Sequence, residues 1–154
     1  MGDRCWISMR IHKDDVDKAE TFIREETSGS LDDLRAGKLD ELMHGDDQRG
    51  VVAFDQANYG LASARENLAK EGVRFAGDHG SGGTYPCCTF YSDGEKVHEW
   101  ETDGQGGMTI ETGTPANEGK IRNAVQKLMV FLTAQEAVEK EVKDSWGEEE
   151  SGGE

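Results

Sequence analysis

His79, Ser81, Tyr85, Cys87 and Cys88 fall within ten residues of one another, in the segment Gly77-Asp-His-Gly-Ser-Gly-Gly-Thr-Tyr-Pro-Cys-Cys88. An imidazole base beside a hydroxyl or thiol nucleophile is the minimum equipment of a hydrolase or transferase, with His79 as base and Ser81 or Cys87 as nucleophile. The glycines Gly77, Gly80, Gly82 and Gly83 add a second chemistry. Residues without a side chain let a backbone approach a ligand closely, or let N–H groups gather round an anion. The familiar versions of both chemistries are missing. No Walker lysine or dinucleotide spacing accompanies the glycines. The esterase-type Gly-x-Ser-x-Gly elbow fails because position 79 is His. His79, Cys87, Cys88 and His98 are the metal-ligating types, but they lack the closely spaced pairs that zinc sites use, so no metal and no cofactor is expected. Glu99-Trp-Glu-Thr-Asp-Gly104 starts like a calcium loop, yet its twelfth position is Ile110 where a bidentate glutamate is required, so a polar hairpin is the better reading.

Carboxylates form the other conspicuous group. Asp14, Asp15, Asp17 and Glu20 crowd one segment, Asp32, Asp33, Asp40 and Glu41 the next, and Glu139 lies among the acids near the C-terminus. General acid catalysis needs a buried carboxyl with a raised pKa. These residues sit near predicted caps and turns, where they stay ionised, so a recognition surface suits them better than a reaction. Trp146 stands beyond the main apolar stripe of the last helix and is the aromatic residue placed to anchor a partner. Trp6 and Trp100 read as sheet packing.

The elements that must position these groups follow from periodicity. Cys5–His12 alternates apolar and polar residues as a half-buried strand does. Val16, Ala19, Phe22 and Ile23 fall at helical spacing behind an acidic first turn. Leu31, Leu34, Leu39 and Leu42 suggest short acidic helical turns, and 44–50 a loop. Val51–Asp55 is a second strand, Leu61–Glu71 an amphipathic helix closed by Gly72, and Val73–Ala76 a third strand. After the glycine-rich loop, Cys88–Tyr91 and Lys96–Glu101 form a hairpin across Asp93-Gly94, a pair that accepts positive φ. Met108–Thr112 is one more candidate strand. Thr114 caps and Pro115 opens the last helix, whose stripe is Ile121, Val125, Leu128 and Leu132. From 116 to about 144 that helix spans ~43 Å. Its second half, with Ala134, Ala137, Val138 and Val142 among acids, is expected to project, bend or meet a partner.

This order predicts an α+β two-layer sandwich: a mainly antiparallel sheet of four to six strands, helices on one face and a long C-terminal helix. Residues 1–146 make a single domain and 147–154 a disordered acidic tail. The 154 residues suit one domain, and 34% hydrophobic content allows a modest core. Thirty-two acids against 17 bases leave −15. Residues 13–47 (12 acids, 5 bases) and 136–154 (8 acids, 2 bases) hold 20 of those 32 acids. This argues against a nucleic-acid backbone as direct partner, since affinity there comes from Lys and Arg on phosphates, and anionic membranes are disfavoured for the same reason. No apolar run approaches the ~20 residues that span a bilayer, and the N-terminus lacks a secretory h-region. With three cysteines, an odd number, these features predict reduced thiols and a cytoplasmic location.

The opening Gly2-Asp-Arg-Cys-Trp6, the Asn58-Tyr-Gly60 turn and the Phe75–Tyr85 segment resemble small uncharacterised proteins of phages and prophages over about the first two-thirds of the chain. Those motifs carry no known chemistry, so no site residues come with the likeness. In size and acidity the chain also resembles anti-restriction and anti-CRISPR proteins, which block host defence by occluding nucleic-acid-binding surfaces. The expectation is therefore a non-enzymatic, DNA-mimicking acidic binding protein of a phage or mobile element. It would inhibit a host defence or nucleic-acid-handling protein in the host cytoplasm by occupying that protein's basic surface. A hydrolase or transferase built on residues 77–88 is the alternative, and a module that self-associates as a homodimer through its C-terminal helix is the third.

Overall fold

A computed structural model of the chain describes residues 4–26, 51–103, 105 and 107–152. They form β1 (Arg4–Ile11), a 3-10 turn (Lys13–Asp15), α1 (Val16–Glu26), β2 (Val51–Asn58), a second 3-10 turn (Tyr59–Leu61), α2 (Ala62–Lys70), β3 (Arg74–His79), β4 (Cys88–Asp93), β5 (Val97–Glu101) and α3 (Glu118–Gly152). All strand pairs are antiparallel, in the order β2-β1-β3-β4-β5. The fold is thus α+β, with one five-stranded sheet and a long C-terminal helix. The predicted turns at Leu31–Leu42, the loop at 44–50 and the carboxylates Asp32, Asp33, Asp40 and Glu41 lie outside the described residues.

Local chemistry accounts for most of these elements. Cys5, Ile7, Met9 and Ile11 are the buried side of β1, as period-two alternation requires. Leu61, Ala64 and Leu68 are buried on the inner side of α2, and Gly72 ends that helix at φ +86°. The β4–β5 turn is closed by Asp93, whose Oδ1 accepts the N–H groups of Glu95 and Lys96, while Gly94 takes φ +91°. Burial pushes the Asp93 carboxyl up, but the His98 ring and those two N–H groups outweigh it and hold it at about 2. Met108 makes only an isolated bridge to Thr102, so 108–112 is not the strand that was expected.

β3 runs to His79, beyond the expected end at Ala76, because Gly77 lets it pass close to β1. A Cβ at Gly77 would lie 2.1 Å from the Ser8 carbonyl and 2.6 Å from the Met9 Cα. This glycine therefore belongs to the sheet, where a missing side chain permits close backbone approach.

Both faces of the sheet are covered. Ile7, Met9, Ile11, Phe75 and Phe90 pack with Ala19 and Ile23 of α1 and Ala64 and Leu68 of α2. Ala76 and Tyr91, each one residue along its strand from Phe75 or Phe90, point the other way and meet Phe131, Val138 and Val142 of α3. Helices α1 and α2 share one face, and the C-terminal helix adds a third layer on the other. Gln135, buried on α3, satisfies itself by donating to Thr89 Oγ1 at 2.7 Å.

Three expectations about this helix are corrected. Its cap is Asn117, whose Oδ1 accepts the Lys120 N–H at 3.0 Å, rather than Thr114. Its sheet-facing side is Ala124, Phe131, Gln135, Val138 and Val142, so the acidic second half is docked while Ile121 and Val125 of the first half are exposed. Acids on the solvent side do not prevent docking when the 3.6-residue period keeps one side apolar. Finally, α3 continues through 147–152 in place of the expected disordered tail; Trp146 fixes the turn that precedes them.

Trp146 is 2% exposed and donates its indole N–H to the Ile11 carbonyl at 2.7 Å, at the end of β1. Its ring enters the core on the α1–α2 side of the sheet. The assignment of Trp146 as a partner anchor is therefore overturned. Trp146→Ala is expected to cost about 3–5 kcal/mol, as truncation of a buried aromatic does. Trp146→Phe, which leaves the Ile11 carbonyl without its donor, should cost about 1–2 kcal/mol. Urea denaturation checks both; a loss below about 1 kcal/mol for the alanine variant would place the indole outside the core.

Candidate functional site

The glycine-rich connection between β3 and β4 folds back on itself. Gly80 donates its N–H to the Trp6 carbonyl at 3.0 Å, and Gly82 donates to the Tyr85 carbonyl at 3.1 Å. A Cβ at Gly80 would meet the Trp6 indole at 2.5 Å, and one at Gly82 the Tyr85 ring at 2.4 Å. These glycines make room for aromatic rings of the same protein, and two N–H groups of the kind that cradle an anion are spent internally. Tyr85 packs edge-on against His79, with centroids 5.7 Å apart, and tilts against Tyr59 at 5.9 Å. Ser81 is exposed and Cys87 half-buried.

His79 is buried between this loop and the turn that opens α2. Tyr59, Gly60 and Leu61 all take left-handed φ values of 53°, 59° and 57°. For Tyr and Leu that conformation costs energy the surroundings must supply. Arg65 supplies part of it: 3% exposed, it donates Nε–H to the Gly60 carbonyl at 2.8 Å and Nη1–H to Glu99 Oε2 at 2.7 Å. Its guanidinium lies 4.5 Å from the centroid of the Phe90 ring. Sequence reasoning does not find the bond between buried Arg65 and exposed Glu99. The available signal was Arg65 interrupting the apolar side of α2 between Ala64 and Leu68.

Protonation states follow from this packing. His79 Nδ1 lies 2.7 Å from the Gly80 carbonyl, so the ring N–H sits there and donates. Burial lowers the His79 pKa, the Gly80 carbonyl opposes that shift, and the Arg65 charge reinforces it. The ring is neutral at physiological pH. Burial pushes the Cys88 thiol up to about 11, with the Glu99 charge acting in the same direction. A nucleophilic cysteine needs the reverse, an electropositive and accessible setting. The arrangement holds protons in place and serves packing.

The metal-ligating types do not converge. His79 and Cys88 lie on the α1–α2 side of the sheet, whereas His98 stacks on Tyr91 at 4.7 Å on the α3 side and pairs with Asp93 at 2.9 Å. Among the described residues no group of three or more His, Cys, Asp or Glu side chains is placed to hold a metal ion. In the calcium-like stretch, Asp103 Oδ1 accepts the N–H groups of Gln105 and Gly107, which lower its pKa. That carboxylate closes a turn.

Of the carboxylates proposed for binding, Asp14 and Asp17 are exposed and Asp15 and Glu20 half-buried at the start of α1. Glu139 borders a cavity of about 250 Å³ with Arg10, Ala76, Val142 and Lys143, and burial raises its pKa, with Asp78 and Glu136 adding to the rise. Three other acids of α3 are paired with bases: Glu118 with Arg122, Asp144 with Lys140, and Glu141 with Arg74. A larger open cleft of about 540 Å³ lies between β5, the 109–113 segment and the first half of α3, bordered by Trp100, Glu101, Glu111, Lys120 and Lys127. Its size is that of a small-molecule site, but its mixed charges select no single ligand.

Fold and site together define a small acidic α+β protein with a sheet covered on both faces and its polar cluster committed to packing. No family model, curated protein or solved structure matches the chain. No helix among the described residues is long and apolar enough to cross a membrane.

Two outcomes test this account of the cluster. A histidine whose folded pKa lies below its unfolded value near 6.5 binds its proton more tightly in the unfolded chain. Its share of stability is complete above that value and lost as pH falls below it, by at most ~1.4 kcal/mol per pH unit. Urea midpoints measured across this range should therefore fall more steeply for the wild type than for His79→Phe, and equal slopes would refute the assignment. Iodoacetamide at about neutral pH should modify Cys87 well before Cys5 or Cys88, read by peptide mass mapping. Rapid labelling of Cys88 would contradict its buried, protonated state.

Proposed function

We propose that this protein is a non-enzymatic binding protein that uses exposed carboxylates to dock on a basic surface of a larger protein, in the manner of phage-encoded anti-restriction and anti-CRISPR inhibitors. The observation that carries this reading is a division of labour among polar residues. The imidazole that the catalytic alternative would use as its base, His79, is enclosed by the fold, whereas its nucleophile candidates Ser81 and Cys87 lie nearer the surface, and Asp14 and Asp17 stand in solvent beside Asp15 and Glu20.

A net charge of −15 on 154 residues produces a field that steers a basic partner over distances longer than a contact. The carboxylates at the start of α1 also lie where the helix dipole favours negative charge, so holding them there costs the fold little. Charge of this kind contributes more to association rate and partner choice than to raw affinity. On α3, Glu118, Glu141 and Asp144 are each paired with a base, so the reading rests on the carboxylates at the α1 end.

Affinity capture from bacterial lysate tests it. The retained protein should be basic. It should be released when ionic strength rises from about 0.05 to 0.5 M, which shrinks the screening length below ~10 Å. The triple variant Asp14→Asn, Asp15→Asn, Asp17→Asn should retain several-fold less. A partner held equally at both salt concentrations, and equally by the variant, would refute the reading.

A further inference from the structure

The first half of α3 carries more exposed apolar surface than the fold needs. Ile121, Val125 and Met129 are 41%, 43% and 58% exposed along one side, with Leu128 and Leu132 half-buried beside them, while Val130 points the opposite way. Exposed side chains of this size gathered on one helix mark an interaction surface. The helix cannot turn them inward, because Phe131, Gln135, Val138 and Val142 already hold its other side to the sheet.

We propose that this surface is an interface between two copies of the chain, paired through antiparallel α3 helices. The spacing Ile121, Val125, Leu128, Leu132 advances by four, three and four residues, the seam of a two-helix coiled coil. Read backwards, the same intervals recur. An antiparallel copy therefore sets Ile121 against Leu132 of the partner subunit and Val125 against Leu128 of the partner subunit. A two-fold interface requires this self-complementarity.

Charge supports a second copy as the occupant. Two chains of −15 repel across most of their surfaces. Residues 116–135, with Lys120, Arg122 and Lys127 against Glu118 alone, are a stretch of net +2. Lys120 and Lys127 line the cleft on one flank, and Arg122 is already paired with Glu118. The seam itself is left close to neutral, so like-charged copies can meet there. A seam of about three helical turns buries less than the ~1,200 Å² of a stable specific interface, which makes the dimer weak and concentration-dependent.

Sedimentation velocity on the full chain from about 1 to 300 µM tests the proposal, in the concentration range of a weak interface. The wild type should shift from the mass of one copy toward that of two. Val125→Glu should stay at one copy throughout, and Val125→Ser, which only trims apolar surface, should weaken association several-fold. Val130→Glu, on the opposite side of the helix from the seam, should associate as the wild type does, with circular dichroism showing all three variants folded. The association should persist at about 0.5 M salt, because screening relieves repulsion between like-charged copies; the basic-partner complex proposed above should dissociate there, so each idea fails separately. A wild type that remains monomeric throughout overturns the dimer, as does a Val125→Glu variant that associates normally or a Val130→Glu variant that dissociates equally.

Discussion

Both faces of the central strands have to be dry, and the rest of the architecture follows from that constraint. Phe75 and Phe90 point to one side and Ala76 and Tyr91 to the other, all of them buried. The chain is one-third hydrophobic, and that share has to supply cores on both sides of the sheet. It covers the α3 side with a single helix, whose sheet-facing side includes a polar residue, Gln135, made acceptable by its bond to Thr89. Trp146 then passes the end of β1 and joins the other core, so one helix links both layers.

The same economy governs the polar cluster around Arg65. A buried guanidinium is costly unless its donors are satisfied. Here Glu99, the Gly60 carbonyl and the face of Phe90 divide that task. In return Arg65 helps hold a left-handed turn that two of its three residues resist, and that turn forms one wall around His79. Each member of the cluster is held by the others.

Charge is distributed less simply than the sequence suggests. On α3, acids and bases pair across one helical turn or reach a strand, as Glu141 reaches Arg74. At the start of α1, Asp14 and Asp17 remain exposed, with Asp15 and Glu20 half-buried beside them. The net charge of the chain belongs to the sequence, but which of its parts is available to a partner depends on which bases the fold brings close.

Several features were legible in the sequence because they depend on neighbours along the chain. The alternation of Cys5, Ile7, Met9 and Ile11, the Asp93-Gly94 turn and the inner side of α2 each rest on spacing or on backbone conformation within a few residues. The α+β class follows from their order. The candidate site was legible only as a concentration of reactive residue types; that His79 would be enclosed and Cys88 kept protonated depended on Arg65, Glu99, Tyr59 and Phe90, which are distant in sequence. The reversal on α3 has a similar cause. Ile121, Val125, Leu128 and Leu132 have the spacing of a core stripe, and so do Phe131, Gln135, Val138 and Val142; periodicity alone cannot rank two stripes on one helix. Composition and local periodicity determined the elements and their charge, whereas only the tertiary structure decided which stripe faces the sheet, because that choice is made by the side chains of β3 and β4 that the helix must cover.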